Sequence, residues 1–249
     1  MAKARRRQRA SKGVDPLRDL HEYGVDLRHR ELYLVGEPDA IDPSEIAGDR
    51  NEPGVEFSMA NRIIKNLRAL ALASTAPILI HMKTCGGDEA EGFAIYDAVR
   101  ACPLKTTILS YTHARSMSSI ILQAADKRVL MPSSYFMFHR GDAAVSGVVR
   151  AVESAVAFFK PYDELMVNLY VEAVKRSGRP AFKRWSRVRL AAHFNKMMDQ
   201  KVDVFLPAEE AVAWGLADEI FDGNWAALAK AAPKAPAKKS RRAGCRRCL

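Results

Sequence analysis

PILIHMKTCGGDEAEGFAIYDAVR, residues 77–100, decides the fold. It opens on the apolar run 77–82, which has the length of a strand buried on both faces rather than of a helix. Thr84-Cys85-Gly86-Gly87-Asp88 then reads as a turn. From residue 88 to residue 100 the apolar positions Phe93, Ile95, Tyr96 and Val99 recur at helical spacing. Strand, glycine turn and helix make one unit of an α/β fold. Paired glycines let backbone N–H groups face a ligand beside a helix N-terminus. A strand-to-helix turn also needs glycine for steric reasons alone, so the turn by itself names no function.

The alternation continues on both sides. Residues 31–36 (ELYLVG) read as a short strand, 37–54 as a loop rich in Pro, Asp and Gly, and 57–73 as an amphipathic helix with Phe57, Met59, Ile63, Ile64, Leu67, Leu70 and Ala71 at helical spacing. Residues 106–111 form a β-rich run, 113–119 (HARSMSS) a loop opening a helix over 116–125, and 129–131 and 135–138 two short strands. Residues 148–176 predict a long helix with Pro161 at a kink or a break. A basic helical segment over 182–200 follows, then a strand at 202–206, a short helix at 207–214 opened by a proline, and a last strand at 217–221. Beyond residue 224 the composition collapses to Ala, Lys, Pro and Arg, which predicts a disordered tail. The order predicts a mostly parallel α/β architecture divided into a basic, flexible segment 1–30, a folded domain 31–222 and a basic tail 223–249.

Of the 249 residues, 48% are apolar, enough for a sizeable core, and no run of 18 apolar residues exists to predict a transmembrane helix. No apolar stretch follows the Arg-rich start, so a secretory signal is not expected. Net charge is +10, but its location matters more than its size. The first 14 residues carry six Lys or Arg, the last 24 carry eight, and neither stretch holds an acid. Without those 14 charges the body has 25 basic against 29 acidic residues, and is mildly acidic. This speaks against a nucleic-acid groove in the fold and leaves the basic ends as solvated tails or a polyanion contact. Of four cysteines, Cys245 and Cys248 form a tail CxxC, half a zinc site without a second pair. A cytoplasmic protein without structural disulfides is expected.

Three loops carry candidate chemistry: the Gly86–Gly87 turn, Ser116 at a helix start, and His139 at a strand end before a loop. Alone, each has a plainer explanation. A serine there is usually an N-cap, and His139 competes with His21, His29, His81, His113 and His193. Taken together the loops resemble the Clp protease proteolytic subunits. The resemblance rests on Gly86-Gly87 followed by Ala94-Ile95-Tyr96-Asp97, on Ser116-Met117 opening the next helix, on Leu130-Pro132-Ser134 followed by Met137-Phe138-His139 with Met131 inserted, and on Asp203 before Phe205-Leu206-Pro207-Ala208, Ala211, Gly215-Leu216 and Asp218. It spans roughly residues 31–222.

What the resemblance implies is a spiral of repeated β-β-α units of the Clp/crotonase type, and a serine endopeptidase with Ser116 as nucleophile, His139 as base and Asp203 as its orienting acid. The backbone amides of Gly87 and Met117 would hold the oxyanion. It implies a homo-oligomeric double ring enclosing the active sites, unfolded protein as substrate, and an ATP-driven unfoldase as partner; the chain itself has no G-x-x-x-x-G-K-[ST] motif. No cofactor, metal or membrane contact is called for. Asp199 and Asp218 are the alternatives to Asp203, and Cys85 is a weaker alternative nucleophile. Three further readings share the fold: a non-catalytic subunit, a crotonase-type enzyme acting on acyl-CoA thioesters, and a phage capsid-maturation peptidase. Two departures stand out. The family's Ser-Pro-Gly-Gly turn is Thr84-Cys85-Gly86-Gly87 here, and its small residues before the serine are His113-Ala114-Arg115. Three readings of Arg115 stand, that it narrows the pocket, favours acidic substrates or points into solvent, and the last is the expectation. The stretch from 179 to 203 is longer than usual and strongly basic.

Overall fold

A computed structural model describes residues 16–36, 54–141 and 145–228. The basic ends, the tail CxxC and residues 37–53 of the loop read over 37–54 lie outside the described residues. The chain begins with α1 (Pro16–Tyr23) and β1 (Val25–Asp26), followed by β2 (Glu31–Val35), α2 (Phe57–Ala73), β3 (Ile78–Lys83), α3 (Glu89–Ala101) and β4 (Thr106–Ser110). Then come β5 (His113–Arg115), α4 (Met117–Ala124), β6 (Lys127–Leu130) and β7 (Tyr135–Phe138). The C-terminal part contains α5 (Val149–Ser177), α6 (Arg187–Lys201), β8 (Val204–Pro207), α7 (Ala208–Trp214), β9 (Glu219–Ile220) and α8 (Trp225–Leu228).

Six strands form the main sheet in the order β1-β2-β3-β4-β6-β9, parallel except for β1 against β2. A second sheet, β5-β7-β8, pairs β5 with β7 in parallel and β7 with β8 antiparallel. The chain passes twice from the main sheet to the second, β4 to β5 and β6 to β7; it returns first through α4 to β6 and then, after α5, α6 and β8, through α7 to β9. This is the β-β-α spiral that the resemblance implies.

Strand β3 shows why the main sheet is buried on both faces. Side chains alternate along a strand, so Ile78, Ile80 and Met82 enter the large core beneath α2 and α3 while Leu79 joins Leu109, Val129, Phe221 and Leu228 on the other face. Full burial of each such side chain stabilises by about 1.5–3 kcal/mol. The far face is covered in part by α8, so folded structure continues past residue 222. It also starts before residue 31, because β1, preceded by α1, pairs antiparallel with β2.

Several predicted boundaries move, two of them for reasons the hydrogen bonds make plain. The segment 113–115, read as loop, is a strand, because Ser116 N bonds to Met137 O and draws the preceding residues alongside β7. The segment predicted as helix from 182 starts at 187, where Ser186 caps it by accepting from Arg189 N. Upstream, Pro180–Phe182 is a 3₁₀ turn whose Phe182 packs edge-on against Trp185 and Trp214. Pro161 does not break α5, which runs 29 residues through it. The acceptor that Pro161 deprives of a partner is the carbonyl of Ala157, and Ala157 is exposed to water.

Candidate active site

Ser116 sits where β5 turns into α4, with φ 51° and ψ −132°. This is costly for a residue with a Cβ and is held by its surroundings. Ser116 N donates to Met137 O, and its carbonyl accepts from Ser119 N at 3.0 Å and from Ser119 Oγ at 2.6 Å. Its own hydroxyl caps nothing in α4, unlike an ordinary helix-start serine. Instead it lies 2.8 Å from His139 Nε2.

His139 follows β7 directly, and its Nδ1 lies 3.0 Å from Asp203 Oδ1. An ionised carboxylate can only accept. With the ring proton on Nδ1 donated to that carboxylate, Nε2 of a neutral ring can accept from the serine hydroxyl. Asp203 is delivered by the reversal from α6 into β8. Val202 takes φ 61° there, strained for a β-branched residue. Beside it, Arg140 donates to Asp199 Oδ1 at 2.8 Å and to Asn195 Oδ1 at 3.1 Å, tying the residue after His139 to α6.

The glycine turn packs against the start of α4. A Cβ on Gly86 (φ 102°) would stand 2.7 Å from Ser116 Cβ and 2.9 Å from Met117 N. One on Gly87 (φ 140°) would stand 2.4 Å from both N and O of Val55. Val55 bridges this turn in parallel: its N donates to Gly86 O and its O accepts from Asp88 N. In such a bridge the residue opposite Val55, Gly87, turns its own N–H away from it. Met117 N is the first amide of α4 and has no acceptor within the helix. The two amides predicted from sequence thus come from elements in contact.

A model of the family described as Clp protease matches residues 52–224. The chain belongs to the Clp protease family. Among curated relatives it is 30% identical over 173 residues to an ATP-dependent Clp protease proteolytic subunit from Deinococcus radiodurans, covering 68% of this chain and 76% of the relative. It is 27% identical over 170 residues to ATP-dependent Clp protease proteolytic subunit 2 from Pseudomonas aeruginosa, covering 68% and 77%. A solved ClpP1 variant from Listeria monocytogenes superposes with a TM-score of 0.61 at 19% identity, over 82% of this chain and 96% of that one, a likeness of fold.

Against this Clp background the alternative residues separate. Asp218 is engaged elsewhere. Its Oδ2 accepts from the backbone N and Nε of Arg128 at 2.8 and 3.0 Å, and its Oδ1 accepts from Nη2 at 2.5 Å. Burial opposes its ionisation, but the hydrogen bonds and charge of Arg128 more than offset that, holding the carboxyl below the usual carboxylate range. Asp199 pairs with Arg140. His81 lies on the opposite face of the sheet between Glu31 and Tyr111, 3.2 and 2.8 Å away, stacked on Tyr33. Arg115 does not point into solvent: its Nε donates to Cys85 O at 3.3 Å. Backbone reversal around a strained serine brings the side chain down onto the glycine turn.

Sequence reasoning missed Ser119 and Tyr170. Tyr170 is wholly buried in α5, and its hydroxyl meets Ser119 Oγ at 2.7 Å. A small polar residue one turn after the candidate nucleophile was the available signal, but nothing in the sequence tied it to a tyrosine 51 positions away. Among the described residues, no group of three His, Cys, Asp or Glu side chains could hold a metal ion, and no helix is long and apolar enough to cross a membrane.

Proposed function

We propose that this chain is a serine endopeptidase that hydrolyses peptide bonds inside a chamber built from its own copies and fed with unfolded protein by a separate ATPase. The observation that carries it is the continuous pair of contacts Ser116 Oγ–His139 Nε2 and His139 Nδ1–Asp203 Oδ1, at 2.8 and 3.0 Å. In the reaction, Ser116 Oγ bonds to the peptide carbonyl carbon as its proton passes to His139 Nε2. The carbonyl electrons move to oxygen, where the amides of Gly87 and Met117 stabilise the charge. The C–N bond then breaks and the amine leaves with the proton from His139. Water repeats the sequence on the acyl ester, releasing the acid and restoring Ser116. Asp203 holds the imidazole tautomer and stabilises its cation throughout.

Two further observations favour the assembled form. No residue of α5 before Met166 is buried, and Tyr162 meets the body through Phe93 of α3. The helix exposes Val149, Val156 and Phe158, with Val148 exposed just before it, apolar surface suited to a second copy. The ATPase partner and the cytoplasmic setting come from family membership and from the relatives named ATP-dependent. The basic ends remain the candidate polyanion contact.

Treatment with a fluorophosphonate probe, followed by mass-spectrometric mapping, tests the assignment. Labelling at Ser116 that vanishes in Ser116→Ala and His139→Ala is the expected result. Absence of labelling in an assembled oligomer would favour the non-catalytic subunit.

A further inference from the structure

The two places where this chain departs from the family pattern around the nucleophile touch each other. Cys85 stands where the family turn has proline, and Arg115 stands where the family has a small residue. Arg115 Nε donates to Cys85 O at 3.3 Å. The backbone of Arg115 is itself fixed: its N donates to Ser118 Oγ at 2.9 Å, and that hydroxyl donates back to Arg115 O at 2.7 Å. No carboxylate pairs with Arg115 among the described residues, so its charge strengthens hydrogen bonds to neutral acceptors.

We propose that Arg115 is a positioning residue that ties the 84–88 turn to the nucleophile and replaces the stiffness a proline at position 85 would supply. The proposal rests on Ser116 acting as nucleophile and on the Gly87 amide acting as an oxyanion donor. Proline locks its own φ and restricts the residue before it; Cys85 does neither. The next two residues are glycines at φ 102° and 140°, where no Cβ limits rotation. Val55 N to Gly86 O, Asp88 N to Val55 O and Thr84 Oγ1 to Gly86 O hold the turn to the segment at 54–56 and to itself. The bond from Arg115 holds it to Ser116. A turn free to drift relative to Ser116 binds substrate as before but presents its amide off the line on which oxyanion charge develops.

The test measures kcat and KM on a short fluorogenic peptide for wild type, R115A, C85P and the double variant, alongside the rate of fluorophosphonate labelling. R115A is expected to lower kcat about tenfold, less than the roughly 10²–10³-fold loss on deleting a donor outright, with KM unchanged within about twofold. C85P should match wild type, and the double variant should recover to within about threefold of it, a non-additive cycle. Proline is compatible with the backbone sign at 85, since Cys85 is not among the positive-φ residues. If C85P fails to assemble, R115K takes its place; it keeps a charged donor for Cys85 O and should likewise stay within about threefold of wild type. An unchanged kcat in R115A, a double variant as slow as R115A, or a lysine variant as slow as R115A would overturn the proposal. A wild type that neither turns over peptide nor labels at Ser116 would overturn the peptidase assignment instead, and this proposal with it.

Discussion

The hydroxyls of Tyr170 and Ser119 meet 2.7 Å apart in the core, and Ser119 Oγ lies 2.6 Å from the carbonyl of Ser116. Ser119 has one hydroxyl hydrogen, and the Ser116 carbonyl can only accept it, so Tyr170 is the donor in the other contact. Burial pushes the Tyr170 hydroxyl well above its ordinary pKa, which keeps it protonated as a donor. A helix far along the chain therefore supports the strained backbone of the proposed nucleophile. Tyr170→Phe should cost about 1–3 kcal/mol in urea unfolding, the usual penalty for an orphaned buried polar group, and should slow fluorophosphonate labelling severalfold while leaving the oligomer intact.

Gly87→Ala tests the oxyanion turn. The added methyl would meet backbone atoms of Val55 at 2.4 Å, and backbone cannot swing aside as a side chain can. The turn must shift, and kcat should fall on the order of 10²–10³-fold. Circular dichroism and gel filtration would separate this from unfolding.

Asp203→Asn and Asp218→Asn should fail in opposite ways. The first removes the acceptor that fixes the His139 tautomer, and a loss on the order of 10⁴ in kcat is expected with little change in stability. The second strands Arg128, whose side chain is 1% exposed. It should destabilise by about 3–5 kcal/mol while per-site activity of the folded fraction persists. Activity loss in the Asp218 variant without destabilisation would reverse the assignment.

Stability should fall in two stages on acidification. Burial holds His81 below its ordinary value of 6.5 although Glu31 pulls it upward, so the folded state binds fewer protons than the unfolded one. Its contribution is present above pH 6.5 and is lost as pH drops through the depressed folded value. Burial, with Lys196 nearby, acts on His193 in the same direction. Asp218, held below 3.8, contributes fully above that pH and loses its contribution below it. Urea midpoints measured across this range should show the upper stage weakened in His81→Asn and the lower one absent in Asp218→Asn.

Val202 offers a stabilising change. A valine at φ 61°, 71% exposed, strains the reversal that delivers Asp203. Val202→Gly should relieve about 1 kcal/mol and raise the thermal midpoint. If kcat falls in that variant, the strain itself helps to aim Asp203.

The order of elements was legible in the sequence because it rests on local signals. The apolar run 77–82, the paired glycines, the helical spacing of Ile95 and Val99 and the turn before Ser116 each report the backbone within a few residues. Together they read as the α/β class, while only the resemblance to the Clp family singles out Ser116 and His139. Boundaries were less legible where distant partners set them. His113–Arg115 is a strand only because β7 lies beside it, and Trp225–Leu228 is ordered against the far face of the sheet, where Leu228 meets Phe221. The choice of Asp203 over Asp218 was made from motif spacing. Only the tertiary structure gives Asp218 its own cation, since Arg128 lies 90 positions away. The bearing of Arg115 on Cys85 and of Tyr170 on Ser119 was likewise invisible. Periodicity records which face of an element is buried, while hydrogen-bond partners across the core depend on how those faces meet in space.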